Sequence, residues 1–182
     1  MSMPRTFARS TLPPLTAALL GTTLTFVPST ASADALPVGC TQSVSGSTTT
    51  YTCTQGLAQD LSLGGGDTVV DISNTDPSAH GISEGATLSY KGNGTISVSV
   101  KGGAAGDDSA PGSAGLNLGT ITVGSTATNA AVTVIGGKGG GTFGSGSPGC
   151  AGGTISIPRG SITLRGGDGA DTASGGESGG TG

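Results

Sequence analysis

The sequence predicts an all-β protein: a right-handed parallel β-helix or solenoid-like fold with glycine-rich loops, some of which hold no order of their own. Three observations carry this. Glycine supplies 37 of the 182 residues, and good helix formers are sparse after residue 33, which disfavours helix. Short segments alternate apolar and small polar residues, the period of a half-buried strand. And phrases return. "GTISVSVKGG" from Gly94 is echoed by "GTITV" from Gly119 and "GTISI" from Gly153, and its second half by "VTVIGG" from Val132 and "ITLRGG" from Ile162. Repeats of this size mark stacked coils, because one coil cannot bury its apolar face alone.

The elements follow in order. Residues 1–33 read as a cleaved signal peptide. Arg5 and Arg9 form a positive start, Leu15 to Val27 an apolar stretch, and Ala31 and Ala33 the small residues of a cleavage site. The apolar stretch is shorter than the ~20 residues a membrane-spanning helix needs. Residues 34–60 form an N-terminal cap. Cys40 and Cys53 enclose "TQSVSGSTTTYT", whose "SGS" suits a turn between two Thr/Ser-rich arms, so a hairpin closed by a disulfide is expected. Export to an oxidising space permits that bond. Cys150 is left as a free thiol or an intermolecular link.

Residues 61–164 read as solenoid repeats. Strands are expected at "LSL" (61), "DTVVDIS" (67), "ATLSY" (86), "TISVSV" (95), "TITV" (120), "AVTVI" (131), "TISI" (154) and "SITL" (161). In "TISVSV", Ile96, Val98 and Val100 share one face and Thr95, Ser97 and Ser99 the other. "GNGT" after Tyr90 makes either a hairpin turn or a corner between solenoid strands. The repeat unit reads as a "GT-I-x-V" strand, a link, a "V-x-V-x-GG" strand and a glycine loop, with units starting at 94, 119 and 153. Glycine is expected at corners that need positive φ. Residues 165–182 read as an incomplete repeat without a cap, so the chain is expected to be a fragment or a truncated reading frame.

Composition excludes some functions. From Asp34 onward there are five basic residues (Lys91, Lys101, Lys138, Arg159, Arg165) against eleven acidic ones. Nucleic-acid binding, which needs a basic surface, is not expected. No catalytic, cofactor or metal residue is assigned. His80, the one histidine, reads as a turn residue after "DPSA", since no nucleophile motif accompanies it. Asp107 and Asp108 read as loop carboxylates, with Lys101 the nearest basic residue. Asn93 sits in an N-x-T sequon and reads as a turn. "GGDGADTAS", residues 166–174, matches the calcium nonapeptide repeat G-G-x-G-x-D-x-U-x at four of its five specified positions, with Asp171 as its carboxylate. However, Ala173 stands where a large apolar residue belongs, and the motif occurs once. It reads as an acidic glycine loop.

The signal-like start, "GCTQSVSGSTTTYTCT", and the strand repeats "DTVVDIS" and "HGISEGATLSYKGNGTISV" resemble the N-terminal passenger region of Gram-negative autotransporters. The resemblance covers Asp34 to Leu164. It implies export through the inner membrane, a secreted or cell-surface location, a β-helical passenger, and a C-terminal translocator barrel that residues 1–182 do not contain. The function expected is that of a glycine-rich surface structural or adhesin-like segment with no catalytic site, contacting a host or cell-surface glycan or protein. The alternatives are a calcium-binding secreted repeat protein and a fragment of a β-helical polysaccharide-active enzyme.

Overall fold

The computed structural model describes residues 35–106, 110–140 and 145–169. The signal-like segment, Asp107, Asp108, Asp171 and Ala173 lie outside the described residues. The described part is all β, without helix: β1 (Cys40–Ser45), β2 (Thr48–Cys53), β3 (Leu61–Leu63), β4 (Thr68–Ser73), β5 (Thr87–Tyr90), β6 (Thr95–Lys101), β7 (Thr120–Val123), β8 (Asn129–Ile135), β9 (Thr154–Ser156) and β10 (Gly160–Arg165). Each strand expected from the sequence is present. β1 and β2 are the two arms of the expected hairpin, pairing antiparallel from Cys40↔Cys53 to Ser45↔Thr48. Cys40 and Cys53 are bonded to each other.

Beyond the hairpin every pairing of named strands is parallel. The strands form a six-stranded sheet in the order β1-β2-β4-β6-β8-β10 and a four-stranded sheet in the order β3-β5-β7-β9. A third column of single bridges joins Leu57, Ile82, Leu116 and Cys150. From β2 onward successive strands alternate between the two sheets, so the chain winds as a parallel β-solenoid of about three turns.

Alternation places the core. Val70, Val98 and Val132 stack in one file, as do Ile72, Val100 and Val134. Leu61, Leu88 and Ile121 face them from the other sheet, and Leu57, Ile82 and Leu116 fill the third column. All are at most 3% exposed, and each such side chain contributes about 1.5–3 kcal/mol on full burial. The hairpin continues the files, with Tyr51 beside Val70 and Cys53 beside Ile72.

The repeat differs from the sequence reading in its phase. "GTI" at Gly94 lies on β6 in the six-stranded sheet, whereas "GTI" at Gly119 and at Gly153 lead into β7 and β9 in the four-stranded sheet. Their structural equivalent is "ATL" at Ala86: Thr87 pairs with Thr120 and Thr120 with Thr154. Units therefore start at 86, 119 and 153, nearly equal steps. The phrases look alike because both corners ask for the same local pattern, a small residue followed by Thr outward and an aliphatic residue inward. "GNGT" is a corner, not a hairpin. The Tyr90 hydroxyl donates to Gly66 O at 2.7 Å and accepts from Gly94 N at 3.1 Å, while Asn93 N donates to Gly65 O at 3.1 Å. The turn is thus fixed to the corner of the coil before it.

Loop glycines serve a second purpose beside positive φ. Gly65 and Gly85, at φ 99° and 78°, occupy the left-handed corners that the sequence suggests. Gly103, Gly137 and Gly167 do not. They belong to one file of backbone hydrogen bonds that crosses the coils. Gly103 N donates to Ala79 O (3.2 Å), Ser113 N to Gly103 O (2.8 Å), Gly137 N to Ser113 O (2.7 Å), Ser147 N to Gly137 O (3.1 Å) and Gly167 N to Ser147 O (2.7 Å). Outgoing and returning limbs of the loops alternate in this file. They lie so close that a Cβ on Gly103, Gly137 or Gly167 would stand 1.8, 1.8 or 2.0 Å from a neighbouring carbonyl oxygen. Ser113 and Ser147 seal the file by donating their hydroxyls to Pro77 O and Gly112 O. The described parts of the glycine tracts are therefore hydrogen-bonded structure.

Candidate functional site: the outer faces of the coils

The two sheets turn different chemistry outward. On the six-stranded sheet the outward rows mix types. Val69, Ser97, Ala131 and Ser161 share one row; Asp71, Ser99, Thr133 and Thr163 the next; Ser73, Lys101, Ile135 and Arg165 the third. On the four-stranded sheet the outward positions carry only hydroxyls. Ser62, Ser89, Thr122 and Ser156 are in register along one row, and Thr87, Thr120 and Thr154 along the row beside it. All seven are exposed or half-buried. Adjacent strands lie about 4.8 Å apart, and alternate residues along a strand about 6.6 Å apart, so the hydroxyls form a two-row ladder with two fixed repeats. Ser89 Oγ and Ser62 Oγ bond at 3.2 Å. Asp60 stands at the ladder's first coil, its carboxylate accepting from Thr87 N at 2.8 Å. The signal for the ladder is in the sequence as T-x-S/T in "ATLSY", "GTITV" and "GTISI". The sequence reads those residues only as the small polar positions of half-buried strands, and their register as a surface is not visible in it.

Leu118 flanks the ladder two residues before Thr120. It is 53% exposed and has φ 53°, the only non-glycine residue at positive φ among the described residues. Its amide donates to Gly152 O at 3.1 Å. An exposed Leu held in a left-handed conformation is uncommon and costs free energy.

The residues weighed for chemistry are placed apart. His80 lies in the corner after β4. Asn74 Nδ2 bridges Gln55 O (2.9 Å) and His80 O (3.1 Å), and Asn74 Oδ1 accepts from Asp76 N at 2.9 Å. Asp76 in turn accepts from Ser78 N and Oγ, and these bonds hold its carboxyl below the usual range. His80 thus follows directly on the turn that Ala79 N closes to Asp76 O at 3.1 Å. Its Nδ1 is buried and has no hydrogen-bond partner among the described residues. Lys101 ends β6 on the outer face, in register with Ser73 and Ile135. Of the calcium-like stretch, Gly166 to Gly169 are described. Gly167 is accounted for by the glycine file, and Asp168 accepts from Gly139 N through its carbonyl at 2.9 Å. Among the described residues no three His, Cys, Asp or Glu side chains come together as metal ligands. Cys150 forms no disulfide; it is half-buried on the last coil, and its Sγ donates to Gly152 O at 3.2 Å.

One cleft lies at the N-terminal end, lined by Pro37, Val38, Gln55, Gly56, Ala58 and Gln59, with a volume of about 140 Å³. Small-molecule sites run to ~300–1,000 Å³, so it is undersized for one. Asp67 ties the corners of two coils: its carboxylate accepts from Thr95 N and Thr95 Oγ1, both at 2.9 Å, and those bonds hold its carboxyl below the usual range. Burial pushes the Tyr51 hydroxyl up. No protein family, curated protein or solved structure matches the chain.

Proposed function

We propose that the protein is an exported, cell-surface structural or adhesin-like module whose contact surface is the hydroxyl ladder of the four-stranded sheet. The observation that supports this reading is the register of Thr87, Thr120 and Thr154 beside Ser62, Ser89, Thr122 and Ser156. A rigid array of uncharged donors and acceptors at fixed repeats suits a ligand that is itself periodic and hydroxyl-rich, such as a surface polysaccharide. Each contact is weak, and repetition supplies avidity. The signal-like residues 1–33 and the Cys40–Cys53 disulfide fit a destination outside the reducing cytoplasm. On the autotransporter reading, further coils and a translocator barrel are encoded after Gly182, and the downstream reading frame tests that part.

The functional test is retention of the full chain on a panel of insoluble polysaccharides and on whole cells. The comparison is a Thr120→Val, Thr122→Val variant, which keeps strand propensity and removes two hydroxyls. The reading expects retention that the variant weakens. Equal retention of both proteins, or no retention on any matrix, contradicts it. Cleavage of a polyuronide by the wild-type chain would favour an enzyme instead.

A further inference from the structure

We propose that Leu118 is the apolar contact of the hydroxyl ladder, packing on the C–H face of a sugar ring whose hydroxyls meet the Ser and Thr side chains beside it. The inference rests on the polysaccharide reading above and adds a specificity-determining residue to it. Three coils turn the same corner on entering the four-stranded sheet. Thr87, Thr120 and Thr154 pair across coils, and two residues before them stand Gly85, Leu118 and Gly152. All three have left-handed backbones, with φ 78°, 53° and 100°. The corner therefore asks for glycine, and two coils supply it. In the middle coil a leucine stands there instead, a residue for which that conformation is costly.

Packing within the fold does not account for the exchange. Leu118 is 53% exposed, and a coil lies on either side of it, so the exposure owes nothing to an end of the solenoid. Its bond to Gly152 O uses the backbone N–H, which glycine would supply equally. A lone exposed leucine is ordinary, but one held in a costly conformation points to a use. The next coil leaves room for it. A Cβ on Gly152 would stand 2.8 Å from Leu118 Cδ2, so the leucine lies across a bare corner, two residues from Thr154. A charged ligand gains nothing from such a side chain. A sugar ring carries both chemistries, hydroxyls at its rim and aliphatic C–H on its face. The ladder and Leu118 offer the matching pair.

Binding isotherms of the full chain on microcrystalline cellulose and on chitin, whose rings turn C–H faces outward, read the result. Wild type is expected to bind at least one of them. Leu118→Gly and Leu118→Asn both suit a left-handed corner. They should bind about four- to fifteenfold more weakly, the scale of covering the open half of one leucine, with urea midpoints no lower than wild type. Leu118→Met keeps an apolar side chain of similar volume and should stay within about twofold of wild type. Full binding by Leu118→Gly and Leu118→Asn, while the Thr120→Val, Thr122→Val variant binds weakly, would overturn the inference and leave the ladder standing. Equal loss by Leu118→Met and Leu118→Gly would overturn it as well. So would no binding of wild type to either matrix, whereas the polysaccharide reading itself falls only if its wider panel also fails.

Discussion

Replacing Gly137 with Ala tests the idea that the loop glycines are there for close approach. The added methyl would sit 1.8 Å from Gly103 O and 2.6 Å from Gly103 C. Real Cβ atoms essentially never come within 3.0 Å of another heavy atom, so one limb must move by more than an ångström. Gly137 cannot yield alone, because its N–H donates to Ser113 O at 2.7 Å and its carbonyl accepts from Ser147 N at 3.1 Å. Overpacking costs about 1–3 kcal/mol, and each buried backbone group left unpaired costs about 1–3 kcal/mol more. With one such group lost the expected cost is about 2–6 kcal/mol, a large part of a domain's ~5–15 kcal/mol. Gly64 is the control: its Cβ would meet nothing within 4 Å and its φ is not left-handed. Gly64→Ala should therefore stabilise by about 0.4–1 kcal/mol, through the unfolded chain. Urea unfolding followed by circular dichroism measures both. A Gly137→Ala protein within 1 kcal/mol of wild type would refute the reasoning.

Three further outcomes are expected from the same assay. Replacing Cys40 and Cys53 together with Ala should cost about 2–4 kcal/mol, since the bond closes a short loop with a sequence separation of 13 residues; an unchanged midpoint would contradict this. Leu118→Gly should raise stability by about 1 kcal/mol by releasing a left-handed Leu, and a loss would show that burial of the covered half of its side chain matters more. Asp67 has its folded pKa lowered by Thr95, so its contribution is present above the unfolded value of about 3.9 and fades as pH falls through the lower folded one. The gap in stability between wild type and Asp67→Ala should accordingly close below about pH 4, and a gap constant with pH would count against the two Thr95 bonds.

The strands were legible because each is a short alternating run bounded by glycine, and alternation survives any arrangement of coils. The hairpin was legible from two cysteines around "SGS". The phase of the repeat was not. "GTI" before β6 and "GTI" before β7 satisfy the same corner, and only pairing across coils distinguishes the two sides. The glycine file was hidden for a related reason. Gly103, Gly137 and Gly167 are excluded from carrying a side chain by limbs of the loops on neighbouring turns, and composition alone cannot separate such a requirement from loop freedom. The ladder's residues were legible only as the small polar positions of alternating strands. Their register required knowing that "ATLSY", not "GTISV", is the mate of "GTITV".

Nuclear Overhauser contacts between backbone and side-chain protons test the parallel winding most directly. The account predicts contacts of Leu88 with Ile121, of Ile96 with Ala130 and of Val98 with Val132, the partners seen across coils. A hairpin through "GNGT" would instead give cross-strand contacts between Thr87–Tyr90 and Thr95–Lys101. Finding those in place of the contacts across coils would contradict the solenoid.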